Sequence, residues 1–358
     1  MKMMFVALDE ENRRVVLTSH EQAQQLRNRS FHCPICKQRV LIKNGVVMPA
    51  HFAHRQRSDN EGEPESVEHL TGKSWLVTWL RLHQQAATLE YYDANIRQRA
   101  DILVHRTPPK VLEFQASPLS IPDLKKRTTM YHARGWEVTW ILGRRYQHNR
   151  GKKQARKFLT LEDNLLTLWY LNSQAGKLTR VQLMPSGRLL TYYDQQRSPK
   201  QRWQPELVDG LRQARHIGLS LQKRVPSWLA LQALAYQQHH NLHGVPWIVH
   251  HRSHPLRHFG IPELLLRVKW LLTFEGRTFT DRDNLNFWLA ALPNVWTPLL
   301  PAGTLGTLIG KHWVELLQTA GFIRRDHLGY RWRQLPHWFT DIDHKLVARS
   351  CIAPSAKL

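Results

Sequence analysis

The stretch that decides the fold is Arg99-Ala-Asp-Ile-Leu-Val-His-Arg-Thr-Pro-Pro-Lys-Val-Leu-Glu-Phe-Gln-Ala-Ser117. It reads as two apolar strands joined through Thr107-Pro108-Pro109, with Asp101 on the first and Glu113 on the second. Residues two apart in a strand share a face, so Glu113 and Gln115 project side by side, and a hairpin brings Asp101 opposite them. Two carboxylates held that close repel unless a hard divalent cation lies between them. The pattern outlines a metal-dependent phosphodiesterase, although spacing alone fits two exposed acids on a surface hairpin equally well.

The flanking sequence places this hairpin in a larger unit. Upstream, Val67, Leu70, Trp75, Leu76, Trp79, Leu80 and Leu82 recur at helical spacing and predict a helix over about 65–83. Strands are expected at about 89–95, 100–105 and 111–116, the last ended by Pro118. A helix over 121–133 has Pro122 in its first turn, Gly135 stops it, and Glu-Val-Thr-Trp-Ile-Leu at 137–142 reads as a buried strand. The order helix, three strands, helix, strand makes a compact α/β unit.

Three domains are therefore expected: 1–60, 61–145 and 146–358. The first alternates short strand-like runs (4–7, 14–18, 39–42, 46–48) with Cys- and His-containing turns, and the acidic stretch 58–65 reads as a linker. The last opens on a basic connector, 144–157, and then reads as mainly helical, with most of the chain's tryptophans at helical spacing among leucines and so assigned to core. Near its end, 310–333 has the order helix, turn, strand, wing, strand.

The chain has 358 residues and a net charge of +23, from 51 Lys and Arg against 28 Asp and Glu. The excess is not a tail: residues 1–162 carry 27 basic and 16 acidic side chains, and residues 163–358 carry 24 and 12. A surface so uniformly positive favours a polyanion, because each neutralised phosphate releases condensed counterions. No run reaches 18 apolar residues and the N-terminus lacks the shape of a signal peptide, so no membrane segment and a cytoplasmic setting are expected.

Cys33-x2-Cys36 and His51-x2-His54, fourteen residues apart, form two ligand pairs with a loop long enough to fold back. Thiolates and imidazoles are the ligands that Zn²⁺ takes in a closed tetrahedral site. Cys33, Cys36, His51 and His54 are the expected ligands of a structural zinc, with no position left open for water. Cys351 stands alone.

With both clusters in order, the chain resembles the competence protein CoiA family. The resemblance rests on Phe31-His-Cys-Pro-Ile-Cys36, His51-Phe-Ala-His54, Glu68-His69-x3-Lys73, Arg99-Ala-Asp101, Glu113-Phe-Gln-Ala-Ser117, and Arg127-x3-Tyr131 before Gly135-x4-Trp140-Ile141. It covers roughly residues 1–145; the C-terminal half fits only in length and helical character.

The resemblance implies a small zinc-ribbon-like N-terminal domain, an α/β nuclease core similar to the PD-(D/E)xK superfamily, and a mainly helical C-terminal domain. It implies a role in natural transformation, where incoming single-stranded DNA is processed and recombined, with recombination or DNA-uptake proteins as further partners. Asp101 and Glu113 become ligands of Mg²⁺ or Mn²⁺, joined by the Phe114 carbonyl, with Glu68 near the same centre. Lys73, Arg127 and Tyr131 are the expected phosphate contacts, although Lys73 could equally pair with a nearby acid and Arg127 and Tyr131 with the ligand carboxylates. Gln115 takes the place of the superfamily's lysine. An ammonium can stabilise developing negative charge, whereas an amide can only orient water, so a catalytically inactive DNA-binding helper is the alternative.

Overall fold

A computed structural model describes residues 3–46, 48–54, 66–147, 152–163, 165–183, 189–193, 201–203, 210–250, 261–292 and 296–351. The stretch 58–65, expected to be a linker, and residues 148–151 of the basic connector lie outside them. The chain divides into two compact units, the first built mainly from residues 1–160 and 167–181 and the second mainly from 201–358.

The first unit opens with an antiparallel sheet of β1 (Met3–Met4), β2 (Val6–Leu8), β3 (Arg14–Val16), β4 (Phe31–His32), β5 (Arg39–Lys43) and β6 (His51–His54), in the order β1-β6-β5-β4-β2-β3. Helix α1 (His20–Gln25) is capped by Ser19, whose hydroxyl accepts from the Gln22 amide. Met4, Leu17, Phe31, Val40 and Phe52 fill a small core beside the sheet. Of the strand expected at 46–48, Val46 and Met48 lie outside any strand and residue 47 is not among the described residues; Val46 is fully exposed, and the next strand is β6, on the histidines.

The second part of this unit follows the expected order. Helix α2 (Val67–Leu82) leads into the meander β7 (Ala87–Asp93), β8 (Gln98–Val104) and β9 (Lys110–Gln115), then α3 (Ile121–Ala133) and β10 (Glu137–Leu142). Strands β7, β8 and β9 are antiparallel neighbours, and β10 returns parallel to β9 through the α3 crossover. Leu70, Leu76 and Leu80 of α2 pack on one set of strand residues, including Ile102, Leu112 and Phe114, while Tyr131 of α3 packs with Leu103 and Val111. These sets alternate along β8 and β9, as expected for a sheet covered on both faces. Gly72 permits the close approach of α2, since a Cβ there would lie 2.1 Å from the Phe114 ring.

Two short helices, α4 (Arg144–Gln147) and α5 (Lys152–Ala155), precede strands β11 (Thr160–Glu162), β12 (Leu165–Asn172) and β13 (Lys177–Leu183). Strand β12 pairs parallel to β10, so the sheet runs β13-β12-β10-β9-β8-β7. The sequence reading had this region helical. Leu-Leu-Thr-Leu-Trp-Tyr-Leu is a continuous apolar run, which carries no period to separate a buried strand from a helix.

The second unit holds β14 (Leu189–Tyr193) paired antiparallel with β15 (Gln201–Trp203), then α6 (Gly210–Gln222), α7 (Pro226–Gln237), α8 (Glu263–Phe274), α9 (Asp281–Ala291) and α10 (Thr304–Thr319). The hairpin β16 (Ile323–Asp326) and β17 (Gly329–Trp332) follows α10 in the expected order, and α11 (Ile342–Cys351) ends the described chain. Trp270, Trp288 and Trp313 are fully buried, and the indoles of Trp270 and Trp288 both donate to Asn284 Oδ1. These tryptophans are core, as their spacing suggested.

Candidate active site

The β8–β9 ladder ends at Ile102 opposite Leu112, and one further step along the strands sets Asp101 opposite Glu113. Both carboxylates are nearly inaccessible, Asp101 at 6% and Glu113 at 1% exposure. The Phe114 amide donates to Asp101 Oδ2 at 2.9 Å, so the acid replaces a main-chain acceptor where the ladder gives out. His69 Nε2 lies 3.1 Å from the same oxygen, and its ring stacks parallel on Phe114. Burial works against the charged form of Asp101, but His69, Lys73 and Arg127 outweigh it and hold the acid well below the usual carboxylate range.

Glu113 is clamped from α3. The Tyr131 hydroxyl donates to Oε1 and the Arg127 guanidinium to Oε2, and Arg127 also lies 5.2 Å from the Trp140 ring centroid. Arg127 and Tyr131 are one helical turn apart and so reach one acid together. Burial raises the Glu113 pKa, Arg127 opposes it and Asp101 reinforces it, and the acid is pushed up to about 7. Of the two roles open to Arg127 and Tyr131, the geometry has them on the carboxylate, that of Glu113.

Gln115 is turned along its own strand end. Its Nε2 donates to the Ser117 carbonyl at 2.7 Å, which leaves Oε1 without a partner among the described residues. Glu68, in the first turn of α2, is half-buried and accepts from the Arg144 amide at 2.7 Å. A Cβ at position 143 would lie 2.7 Å from Glu68 Oε1, so Gly143 makes room for it.

Lys73 is fully buried, its Nζ 2.7 Å from Glu90 Oε1. Of its two expected roles the structure has the ion pair, and the expected phosphate contact is not what this geometry offers. Glu90 also accepts from the Phe5 and Val6 amides, at 3.0 and 3.3 Å, and so ties the N-terminal sheet to the core. Its backbone is left-handed, with φ of 51°, which interrupts the ladder between Leu89–Ile102 and Tyr91–Ala100. Such a conformation costs a non-glycine residue roughly 1–2 kcal/mol and persists where partners hold it. Sequence reasoning missed Glu90; the available signal was an acid inside the apolar run Thr88-Leu-Glu-Tyr-Tyr92.

The N-terminal cluster differs from the expectation at one ligand. Cys33 Sγ, Cys36 Sγ and a His54 nitrogen lie within 4.8 Å of one another, and Cys36 Sγ is 3.2 Å from His54 Nε2. Bonds of about 2.0–2.3 Å to one Zn²⁺ hold ligand atoms under 4 Å apart, so this donor set fits a metal with slight closure. His51 stands outside the group, its Nδ1 2.8 Å from the Pro49 carbonyl. Both histidines belong to one continuous strand, β6, and residues three apart in a strand face opposite sides.

No described helix is long and apolar enough to cross a membrane. Residues 16–61 match the family profile of the competence protein CoiA N-terminal domain, and residues 65–206 that of the CoiA nuclease-like domain. The competence protein CoiA of Bacillus subtilis (strain 168) is 32% identical over 148 residues, 40% of this chain and 39% of that protein. The match thus covers well under half of either chain, and no solved structure matches. The two domain profiles, adjacent along the chain, and the relative agree: the chain belongs to the competence protein CoiA family.

Proposed function

We propose that the chain is a metal-dependent DNA nuclease with a PD-(D/E)xK-type core, acting on incoming single-stranded DNA before or during recombination in natural transformation. The carrying observation is the pair of buried acids, Asp101 and Glu113, at facing positions of adjacent strands. Hard carboxylate oxygens suit Mg²⁺ or Mn²⁺, and Asp101 Oδ1 has no partner among the described residues. A bound divalent cation supplies a more acidic water and neutralises charge on the scissile phosphate.

The chain's own residues set the geometry. Arg127 and Tyr131 fix the rotamer of Glu113, while His69 and the Phe114 amide fix Asp101. Gln115 Oε1 would orient the attacking water by accepting a hydrogen bond; the water's oxygen adds to phosphorus as one P–O ester bond breaks, its proton passes to solvent, and the leaving sugar oxygen takes a proton from solvent. Cys33, Cys36 and His54 hold a structural zinc in the N-terminal module. The basic surface retains the strand, the setting is cytoplasmic, and recombination or DNA-uptake proteins are the partners that hand DNA on.

One observation favours a second reading, a DNA-binding helper without catalysis: position 115 carries an amide whose nitrogen is spent on Ser117. Incubating the protein with labelled single- and double-stranded DNA, in Mg²⁺ or Mn²⁺ against EDTA, separates the two. Metal-dependent cutting that Asp101→Ala abolishes supports the nuclease. Salt-sensitive binding with no cutting by either protein favours the helper.

A further inference from the structure

The second unit contains a half-open cavity of about 420 Å³, lined by the start of α7, the start of α8 and one face of α6. Its size falls in the range of small-ligand sites, which bury a flat ligand against apolar wall and fix it with a few polar groups. The wall here is Trp228, which is 5% exposed, together with Ile261. Gln213 and Ser227 supply polar groups, and Arg212 stands exposed at the rim.

Gln213 is the informative residue. It is 8% exposed, lines the cavity, and its Oε1 lies 3.2 Å from His250 Nδ1. His250 Nε2 in turn lies 2.7 Å from Nζ of Lys345, a fully buried lysine whose burial pulls its pKa down to about 7, whereas Gln213 Oε1 can only accept. His250 Nδ1 therefore carries a proton. That proton goes to Gln213 Oε1, which leaves the amide nitrogen, with its two donors, without a partner among the described residues. A buried amide held this way faces the cavity with a directional preference for an acceptor.

Helices α7 and α8 both begin at this cavity, each of twelve residues, and neither start carries a side-chain cap. Unsatisfied amides and the positive ends of two helix dipoles meet the Arg212 guanidinium there. Glu263 adds little negative charge, being paired with Arg267 inside the unit. An apolar slot with a presented amide and an anion-attracting mouth matches one nucleotide of a polyanion.

We infer that this cavity takes one unstacked nucleotide of single-stranded DNA, its base against Trp228 and the Gln213 amide, its phosphate at the mouth beside Arg212. This is a second DNA contact, independent of the carboxylate pair, and it gives the C-terminal half a role. It shares with the proposed function only the premise that the chain handles DNA.

The test uses the full chain in EDTA with fluorescein-labelled (dT)15 read by anisotropy, beside a 15-mer of abasic sites. Ser227→Trp fills the cavity from an exposed position, and Arg212→Gln removes the rim charge. The expected result is about tenfold weaker binding of (dT)15 by Ser227→Trp, a smaller loss for Arg212→Gln, and an abasic penalty shown by the native protein but not by Ser227→Trp. Equal binding of (dT)15 by native protein and Ser227→Trp overturns the inference. So does native protein that binds the abasic strand as tightly as (dT)15. Saturation by free dTMP that Ser227→Trp abolishes, with (dT)15 binding unchanged, assigns the cavity to a free nucleotide and also overturns it. Should Ser227→Trp fail to fold by circular dichroism, Arg212→Gln with the abasic comparison decides. Cutting of the same strand by the native protein in Mg²⁺ or Mn²⁺ is read in a separate reaction, so failure of the nuclease reading is scored apart from failure of this one.

Discussion

Replacing Lys73 by Met tests whether that lysine is a structural ion or a phosphate contact. Its Nζ sits 2.7 Å from Glu90 Oε1, with the two side chains 0% and 1% exposed. Met keeps most of the aliphatic stem, so packing changes little and the lost charge dominates. Removing one partner of a buried pair costs about 3–5 kcal/mol, because the other charge stays buried. Glu90 retains the Phe5 and Val6 amides and Arg99 at 3.7 Å, which places the expected loss near 3 kcal/mol. Adding Glu90→Gln removes the stranded charge, so the double variant is expected to recover about 1–2 kcal/mol of that loss. Hydrogen exchange of peptides covering 3–8 and 67–82 reads this in the first unit alone, where exchange should accelerate roughly a hundredfold for 3 kcal/mol. A loss under about 1 kcal/mol, together with weaker DNA binding, would refute the reasoning and return Lys73 to the phosphate.

Further outcomes follow from the geometry. Mn²⁺ binding, measured by calorimetry, should strengthen about tenfold per pH unit up to about 7 and level off above, since Glu113 must lose its proton to act as a ligand. The metal-free fold responds in the opposite sense: protonated Glu113 stabilises it fully below the ordinary carboxylate pKa, and that contribution is lost as pH rises through about 7. Zinc analysis should find the metal retained in His51→Ala and lost in His54→Ala and Cys33→Ser; equal loss in both histidine variants would restore the four-ligand site. Gly72→Ala should destabilise the first unit by about 2 kcal/mol or more in chemical unfolding, because its Cβ would overlap the Phe114 ring that packs beside Asp101.

Much of the nuclease-like core was legible because its signals are local. The apolar spacing of α2, the breaks at Pro118 and Gly135, and the two runs around Thr107-Pro108-Pro109 fix the elements from α2 to β10 to within a few residues. The facing of Asp101 and Glu113 needed only strand parity. The same parity, applied to β6, separates His51 from His54, but it could not be applied while that segment read as a turn. Strand β12 was hidden by an apolar run without a period. His69 and Glu90 owe their roles to partners 32 and 85 residues away, which no local pattern encodes.

The most direct test of the account is an anomalous difference map from crystals grown with Mn²⁺ and a short single-stranded oligonucleotide. A cation-binding carboxylate pair gives a peak within about 2.5 Å of carboxylate oxygens from both Asp101 and Glu113, with a phosphate oxygen beside it, and no such peak in Asp101→Ala. Bound DNA with no manganese at that pair, or manganese bound at it equally well in Asp101→Ala, would contradict the central claim.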